Sequence, residues 1–214
     1  MTGVFIVLEG GDSVGKSTQL RWLTASLQQA GIAYLSTFEP GATWLGGHLR
    51  QLVLDTNSGD ICPRAEALLY IADKAQHVTE LILPALAAGK VVISDRYVDS
   101  TIAYQGGGRE LSPEEVEQVA RWATGNLRPD LTVLLDADPA EAVATLTSKD
   151  RLESASIELH RRARETFLSI AAADPAHYLV LAAHAPQEII AAAVRKRLVT
   201  LGLYLSAPTT MPEQ

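Results

Sequence analysis

Residues 4–17 read Val-Phe-Ile-Val-Leu-Glu-Gly-Gly-Asp-Ser-Val-Gly-Lys-Ser, and the architecture of the chain can be worked out from them. The apolar run at 4–8 predicts a buried strand, and residues 18–30, with leucines at helical spacing, predict the helix that follows. Residues 10–17 between them have the glycine, lysine and serine spacing of a phosphate-binding loop. The pattern therefore predicts a strand–loop–helix unit that binds a nucleoside triphosphate.

Each residue type in this loop has a chemical reason to be there. Gly10 and Gly15 allow the backbone to turn its N–H groups toward a phosphate, and the helix N-terminus adds its positive end. Lys16 is predicted to reach the outer phosphates, and Ser17 to offer its hydroxyl to Mg²⁺. The residues predicted to contact the triphosphate are Gly10, Gly11, Asp12, Ser13, Val14, Gly15, Lys16, Ser17 and Thr18.

Composition limits the partners of the chain. A net charge of −7 argues against a nucleic-acid polymer as partner, although a small phosphorylated ligand could still bind in a local basic pocket. The single cysteine, Cys62, excludes an internal disulfide and suits a reducing compartment. No stretch approaches the roughly 20 apolar residues of a membrane span, and the N-terminal apolar run is too short for a signal peptide. We therefore expect a cytoplasmic protein with no membrane partner.

Strand and helix patterns alternate along the 214 residues. They predict one α/β domain over 1–205, with a mainly parallel five-stranded sheet covered by helices on both faces, a lid at about 147–153 and a flexible tail over 206–214. The predicted strands are 4–8, 33–38, 91–93, 131–135 and 178–181, and the predicted helices include 64–88, bent at Pro84, and one starting at Ser112. Residues 99–108 form a segment of small and polar residues between two of these elements.

Parallel sheets bind ligands beyond the carboxyl ends of their strands. That rule places the phosphate loop, Glu39-Pro40, Asp95-Arg96 and residues 147–153 along one rim. Asp95 ends an apolar strand, so it is a candidate Mg²⁺ ligand opposite Ser17.

Arg96, next to Asp95, could bind a second, acceptor phosphate, or it could form a surface ion pair with a neighbouring residue. Arg50 and Arg109 are further candidates for a phosphate contact. Asp12 would repel phosphates unless it has another task, which could be a sugar hydroxyl or a hydrogen bond that stabilises the loop.

These motifs together resemble the thymidylate kinase family. The phosphate loop is shared by many families, but Asp-Arg-Tyr-Val-Asp-Ser-Thr-Ile-Ala-Tyr-Gln-Gly at 95–106 is highly specific. Glu-Pro-Gly at 39–41, Leu-Arg-Gln-Leu at 49–52, residues 68–77, Pro-Asp-Leu at 129–131 and Asp-Arg-Leu-Glu at 150–153 complete the resemblance.

The resemblance implies Mg²⁺-dependent transfer of a phosphoryl group from ATP to the 5′-phosphate of dTMP, giving dTDP. It assigns Asp12 to the sugar 3′-hydroxyl, Arg96 and Arg50 to the acceptor phosphate, and the remaining acceptor contacts to Glu39, Pro40, Tyr70, Lys74, Thr101, Tyr104 and Gln105. Within that set, Tyr70 would stack on the base and Gln105 would bind its edge, whereas the residues alone would suggest core packing and a surface amide. The catalytic cations would be Lys16, Arg96 and a lid residue, Lys149 or Arg151.

Four positions depart from the family pattern. Phe38 stands where an arginine is usual, Tyr70 where phenylalanine is more common, and Lys74 where an arginine is usual. Ser13 provides no cation from the phosphate loop, so the transition-state charge would depend on Lys149 or Arg151.

These departures leave alternatives open. The chain could be a kinase for another pyrimidine nucleoside monophosphate, or a nucleotide-binding homologue with impaired catalysis. Family members are usually homodimers, and Leu68, Leu69, Leu81 and Ile82 could serve such an interface or belong to the core.

Overall fold

A computed structural model describes residues 3–55, 58–107, 111–140 and 156–209. Five parallel strands form its sheet in the order β2-β3-β1-β4-β5. They are β1 (Val4–Gly10), β2 (Tyr34–Phe38), β3 (Val91–Asp95), β4 (Leu131–Asp136) and β5 (Tyr178–Ala182). The predicted fold class, an α/β domain built on a five-stranded parallel sheet, is confirmed.

Helices cover both faces of this sheet and pack on three apolar clusters. The first contains Leu8 and Leu23, the second contains Phe5 and Ile71, and the third contains Leu134 and Phe167. The α-helices are α1 (Lys16–Gln29), α2 (Trp44–Leu54), α3 (Pro63–His77), α4 (Leu83–Ala87), α5 (Val98–Thr101), α6 (Pro113–Ala123), α7 (Ile157–Ala173) and α8 (Gln187–Leu198). None of the described helices is long and apolar enough to cross a membrane.

The structure corrects two predicted elements. The helix predicted over 64–88 is interrupted by a π-helical turn, Val78–Ile82, directly before α4. Pro84 cannot donate a backbone hydrogen bond and its ring crowds the preceding turn, so a wider turn precedes it. Residues 99–108 were expected to connect two elements, but α5 and a second π-helical turn, Ile102–Gly107, make most of this segment helical.

Three neighbouring strands bring the predicted site together. β2 and β1 both pair with β3, and their register aligns Phe38 and Leu8 with Asp95. The phosphate loop, the Glu39-Pro40 turn and Asp95-Arg96 therefore leave the same edge of the sheet side by side. This arrangement agrees with the prediction for these three segments, and the fourth predicted segment, 147–153, lies outside the described residues.

Some sequence predictions fall outside the described residues. These are the lid with Lys149 and Arg151, Arg109 and the end of the predicted tail. Thr209, inside the described range, donates a backbone hydrogen bond to Gln29 at 2.8 Å. The limits of the domain stay a prediction.

Candidate active site

The phosphate loop between β1 and α1 depends on backbone conformations that suit glycine. Gly10 has a φ of 134° and Gly15, the N-cap of α1, a φ of 93°. A Cβ at Gly10 would lie 2.4 Å from the carbonyl oxygen of Leu135, so a larger residue cannot be accommodated there without a backbone shift. Ser13, at a φ of 59°, is exposed at the tip of the loop.

Lys16 is folded back against this loop. Its ammonium donates hydrogen bonds to the carbonyl oxygens of Gly10, at 3.2 Å, and Gly11. The side chain is buried, and burial together with the nearby Arg96 lowers its pKa to about 8. A phosphate beside it would favour its charged form.

A cavity of about 450 Å³ opens over the loop. It is lined by Asp12, Ser13, Gly15, Lys16, Ser17, Thr18, Phe38, Glu39, Arg50, Asp95 and Arg96. Oδ1 of Asp95 is buried and accepts no hydrogen bond from any described residue, while Ser17 is exposed. No group of three metal-binding side chains occurs in the part of the chain that the structure describes. The site suits Mg²⁺, which takes few protein oxygens and completes its shell with phosphate and water.

Arg96 lies at the centre of the site. Its guanidinium forms an ion pair with Asp12, donates to the Gly10 carbonyl and the Ser100 hydroxyl at 3.0 Å each, and lies 5.6 Å from the Tyr104 ring centre. Arg96 therefore forms its ion pair with Asp12 across the site, and not with a neighbouring residue in the sequence. Burial raises the pKa of Asp12, but Arg96 and Lys16 outweigh this effect and hold the pKa below its ordinary value.

A second cavity, of about 130 Å³, adjoins the first. Its walls are Asp12, Glu39, Pro40, Arg50, Leu54, Tyr70, Lys74, Arg96, Ser100, Thr101, Tyr104 and Gln105. Gln105 donates to Glu66 at 3.2 Å, and the buried hydroxyl of Thr101 has no hydrogen-bond partner among the described residues. All ten residues that the sequence assigns to the acceptor line this cavity.

A buried polar network supports the wall between the cavities. Glu39 accepts hydrogen bonds from Lys74 at 2.7 Å and from Nδ1 of His77 at 2.7 Å, and Thr37 lies 2.6 Å from the other ring nitrogen of His77. The Glu39–Pro40 peptide bond is cis, and the Pro40 carbonyl accepts a hydrogen bond from Arg50 at 2.7 Å. This network holds the ammonium group of Lys74 against Glu39 in the wall of the smaller cavity.

Phe38, at the position where the resemblance to the family leads us to expect an arginine, contacts a cation instead of supplying one. The guanidinium of Arg50 lies 5.9 Å from the centre of its ring, within the range of a cation–π interaction. Phe38 is 45% exposed and lines the larger cavity. Phe38 therefore offers a ring face that helps to orient the guanidinium of Arg50.

Sequence reasoning missed three supporting residues: Glu9, His77 and Ser100. The Ser100 hydroxyl donates a hydrogen bond to Glu9 next to Arg96, and His77 forms a hydrogen bond with Glu39. One signal was available, because Glu9 is a carboxylate in an otherwise apolar strand and such a group needs partners. His77 and Ser100 have no comparable signal.

A phosphate loop at the edge of a parallel sheet, beside a second cationic pocket, defines a P-loop nucleotide kinase. The profile described as thymidylate kinase matches residues 8–194, and the chain belongs to the thymidylate kinase family. It is 57% identical over 201 residues to the thymidylate kinase of Cutibacterium acnes, covering 94% of this chain and 98% of the relative. It is 49% identical over 205 residues to that of Bifidobacterium longum, covering 94% and 100%.

A solved structure agrees with this assignment. The crystal structure of thymidylate kinase from Ehrlichia chaffeensis superposes with a TM-score of 0.75 at 28% identity, covering 95% of this chain and 100% of that one. The resemblance noted in the sequence is thereby confirmed, and with it the class of phosphotransferase.

Proposed function

We propose that this protein transfers the terminal phosphoryl group of ATP to the 5′-phosphate of dTMP, producing dTDP and ADP. One observation carries the proposal: the two cavities share Asp12, Glu39, Arg50 and Arg96. A donor in the larger cavity and an acceptor in the smaller one would meet at these side chains. Phosphoryl transfer requires this kind of alignment and charge stabilisation.

ATP would bind with its phosphates over the loop at residues 10–17. Lys16 would exchange the carbonyl oxygens of Gly10 and Gly11 for phosphate oxygens, which are stronger acceptors for an ammonium. Ser17 and Asp95 would hold Mg²⁺, which, when bound, neutralises the charge of the phosphates. The loop N–H groups and the N-terminus of α1 would add fixed positive potential.

On the acceptor side, Arg96 and Arg50 would bind the phosphate of dTMP. The Asp12 oxygen that has no hydrogen-bond partner among the described residues would accept from the sugar 3′-hydroxyl. The base would lie among Tyr70, Lys74, Thr101, Tyr104 and Gln105. Lys74 would contact the base while Glu39 holds its ammonium in place.

The transferring phosphoryl group needs a cation beside it. Among the described residues, the cations that line the larger cavity are Lys16, Arg50 and Arg96. Lys149 and Arg151 lie outside the described residues, so their contribution stays a prediction from the sequence.

We further propose a cytoplasmic homodimer, since ATP is supplied in the cytoplasm and large apolar side chains are exposed on neighbouring helices. Trp44 on α2 is 79% exposed and Leu68 on α3 is 57% exposed. Of the four residues that the sequence suggested for an interface, Ile82 is instead fully buried in the core. Leu69 and Leu81 are half-buried.

A coupled assay of ADP release with dTMP, dUMP, dCMP, UMP and CMP tests the substrate assignment. We expect kcat/KM for dTMP to exceed that for each other acceptor by at least about tenfold, a difference of about 1.4 kcal/mol. Lys16→Met is the control for contaminating kinases, and should lose about 10²-fold or more in kcat. Preference for another acceptor, or binding of both nucleotides without turnover, would overturn the proposal.

A further inference from the structure

Glu9 is a fully buried carboxylate in the central strand of the sheet. A charge placed there is costly unless hydrogen bonds compensate for the lost water. Its Oε1 accepts hydrogen bonds from the backbone N–H groups of Tyr97 at 2.8 Å and Ser100 at 3.2 Å, and its Oε2 accepts from the Ser100 hydroxyl at 2.7 Å. All three donors belong to the turn and short helix that follow β3.

Arg96 begins that same turn in an unusual backbone conformation. Its φ of 68° lies in the left-handed region, which costs a non-glycine residue of order 1 kcal/mol and persists only where neighbours enforce it. The backbone N–H of Arg96 donates to the Leu8 carbonyl at 2.9 Å. Glu9 therefore holds the residues that follow Arg96, while the strand that carries Glu9 holds Arg96 itself.

The Ser100 hydroxyl joins the two charged side chains directly. Its oxygen donates to Glu9 at 2.7 Å and accepts from Nη1 of Arg96 at 3.0 Å. A single oxygen atom thus lies between the buried carboxylate and the guanidinium that faces both cavities. Glu9 itself is not among the described residues that line either cavity.

The electrostatics agree with this geometry. Burial is the main cause that raises the pKa of Glu9 to about 7, Asp99 adds to the rise, and Arg96 opposes it. Conversely, Asp12, Tyr104 and Glu9 keep the pKa of Arg96 above its ordinary value against the effect of burial.

We propose that Glu9, acting through Ser100, is the positioning residue that orients Arg96 toward the acceptor phosphate. Glu9 contacts no substrate. It acts on Arg96 through the Ser100 hydroxyl and through its hydrogen bonds to the backbone of Tyr97 and Ser100. The proposal rests on the role of Arg96 that the proposed function gives it.

The test measures the Kd of dTMP and of thymidine by titration calorimetry on the full chain. Removing one hydrogen bond to a charged group should cost a factor of about 10 to 100. We therefore expect Ser100→Ala and Glu9→Gln to weaken dTMP binding by about that factor. Thymidine, which has no phosphate, should bind these variants as it binds the wild type, and Ser100→Thr, which keeps the hydroxyl, should restore dTMP binding.

Two controls separate positioning from a loss of stability. The buried hydroxyl of Ser26, in α1, donates a hydrogen bond to the Trp22 carbonyl. Ser26→Ala also removes the hydrogen bond of a buried serine, but one that does not involve Arg96, and it should leave both Kd values unchanged. In an Arg96→Ala background, Ser100→Ala should cause no further loss of dTMP affinity. Thermal unfolding of each variant shows that the measured protein is folded.

The possible failures are distinguishable. If Arg96→Ala leaves the Kd of dTMP unchanged, the role of Arg96 in the proposed function is wrong. If Arg96→Ala weakens dTMP binding but Ser100→Ala and Glu9→Gln do not, the positioning role is wrong. Equal losses for dTMP and thymidine, or losses that persist without Arg96, would also overturn it, because they indicate a general structural role.

Discussion

Lys74 and Glu39 form an ion pair that is buried at both ends, with side-chain exposures of 2% and 0% and an N–O distance of 2.7 Å. Burying such a pair costs the desolvation free energy of both groups, and removing one member strongly destabilises the folded protein. Burial alone would raise the pKa of Glu39, but Lys74 and His77 together hold it below its ordinary value of 4.5. The charged state of Glu39 thus depends on Lys74.

We predict that Lys74→Met lowers the free energy of unfolding by about 3 to 5 kcal/mol at pH 7. In the wild type, Glu39 contributes stability above its unfolded pKa, and this is lost as the pH falls through the folded pKa. Without Lys74, burial dominates and raises the pKa of Glu39. The stability difference between the two proteins should therefore be largest at neutral pH and shrink toward pH 4, as urea unfolding across this range would measure.

The control for this prediction is the double variant Lys74→Met with Glu39→Gln. It removes the uncompensated carboxylate, so it should recover much of the lost stability at neutral pH. A Lys74→Met deficit that is independent of pH would mean that lost packing, and not an unpaired charge, causes it.

The chemical types of the site residues could be predicted from the sequence, but their pairing could not. Lys74 and Glu39 were both assigned to the acceptor pocket because each lies in a recognisable motif. Their contact spans 35 positions in the chain and exists because α3 packs behind the end of β2. The same applies to Arg96, whose partner Asp12 is 84 positions away.

At the scale of elements, one short helical segment supplies three walls of the smaller cavity. Thr101 ends α5, and Tyr104 and Gln105 lie in the π-helical turn Ile102–Gly107. Glycines and polar residues concealed this helix in the sequence, because their intrinsic preferences favour loops. Close packing explains why residue 106 is a glycine, since a Cβ there would lie 2.8 Å from the Cα of Pro113.

We predict that Gly106→Ala weakens dTMP binding and lowers the free energy of unfolding by about 1 to 3 kcal/mol. The added methyl group would meet backbone, so the π-helical turn must move and carry Gln105 with it. Calorimetry with dTMP and urea unfolding would measure the two effects.

Gly47 in α2 provides the matched control for Gly106→Ala. No atom lies within 4 Å of the position of its Cβ, so Gly47→Ala should stabilise the protein by up to about 1 kcal/mol through helix propensity. Unchanged dTMP affinity in Gly106→Ala would contradict the role we give to this close contact.

At the scale of the whole molecule, alternation of strands and helices was enough to predict a parallel sheet and the rim on which the site lies. Crossovers between parallel strands must place helices on the faces, and the carboxyl ends of all strands then share one edge. The strand order could not be predicted, because it depends on which strands meet across long connections. β3 lies between β2 and β1, and this order places Asp95 between the phosphate loop and Glu39.

Six of the thirteen large apolar side chains exposed among the described residues lie on α2, α3 and α6, where α3 packs against both of the other helices. Trp44, Leu52, Leu68, Val119 and Trp122 are exposed there by 79%, 49%, 57%, 39% and 82%. We propose that these side chains form an interaction site, because neighbouring exposed apolar side chains lose contact with water when a partner covers them. A second copy related by a two-fold axis would cover the same face on both partners.

We predict that the wild type sediments as a dimer at micromolar concentration and that Leu68→Glu weakens dimerisation by about a thousandfold. Each leucine buried contributes about 2 kcal/mol, and a two-fold axis places every substitution in the interface twice. Ile189, on α8, is 62% exposed on a different helix, so Ile189→Glu is the matched control and should remain dimeric. Sedimentation equilibrium distinguishes these outcomes. A monomeric wild type would exclude the interface, and a dimeric Leu68→Glu variant would place it on another face.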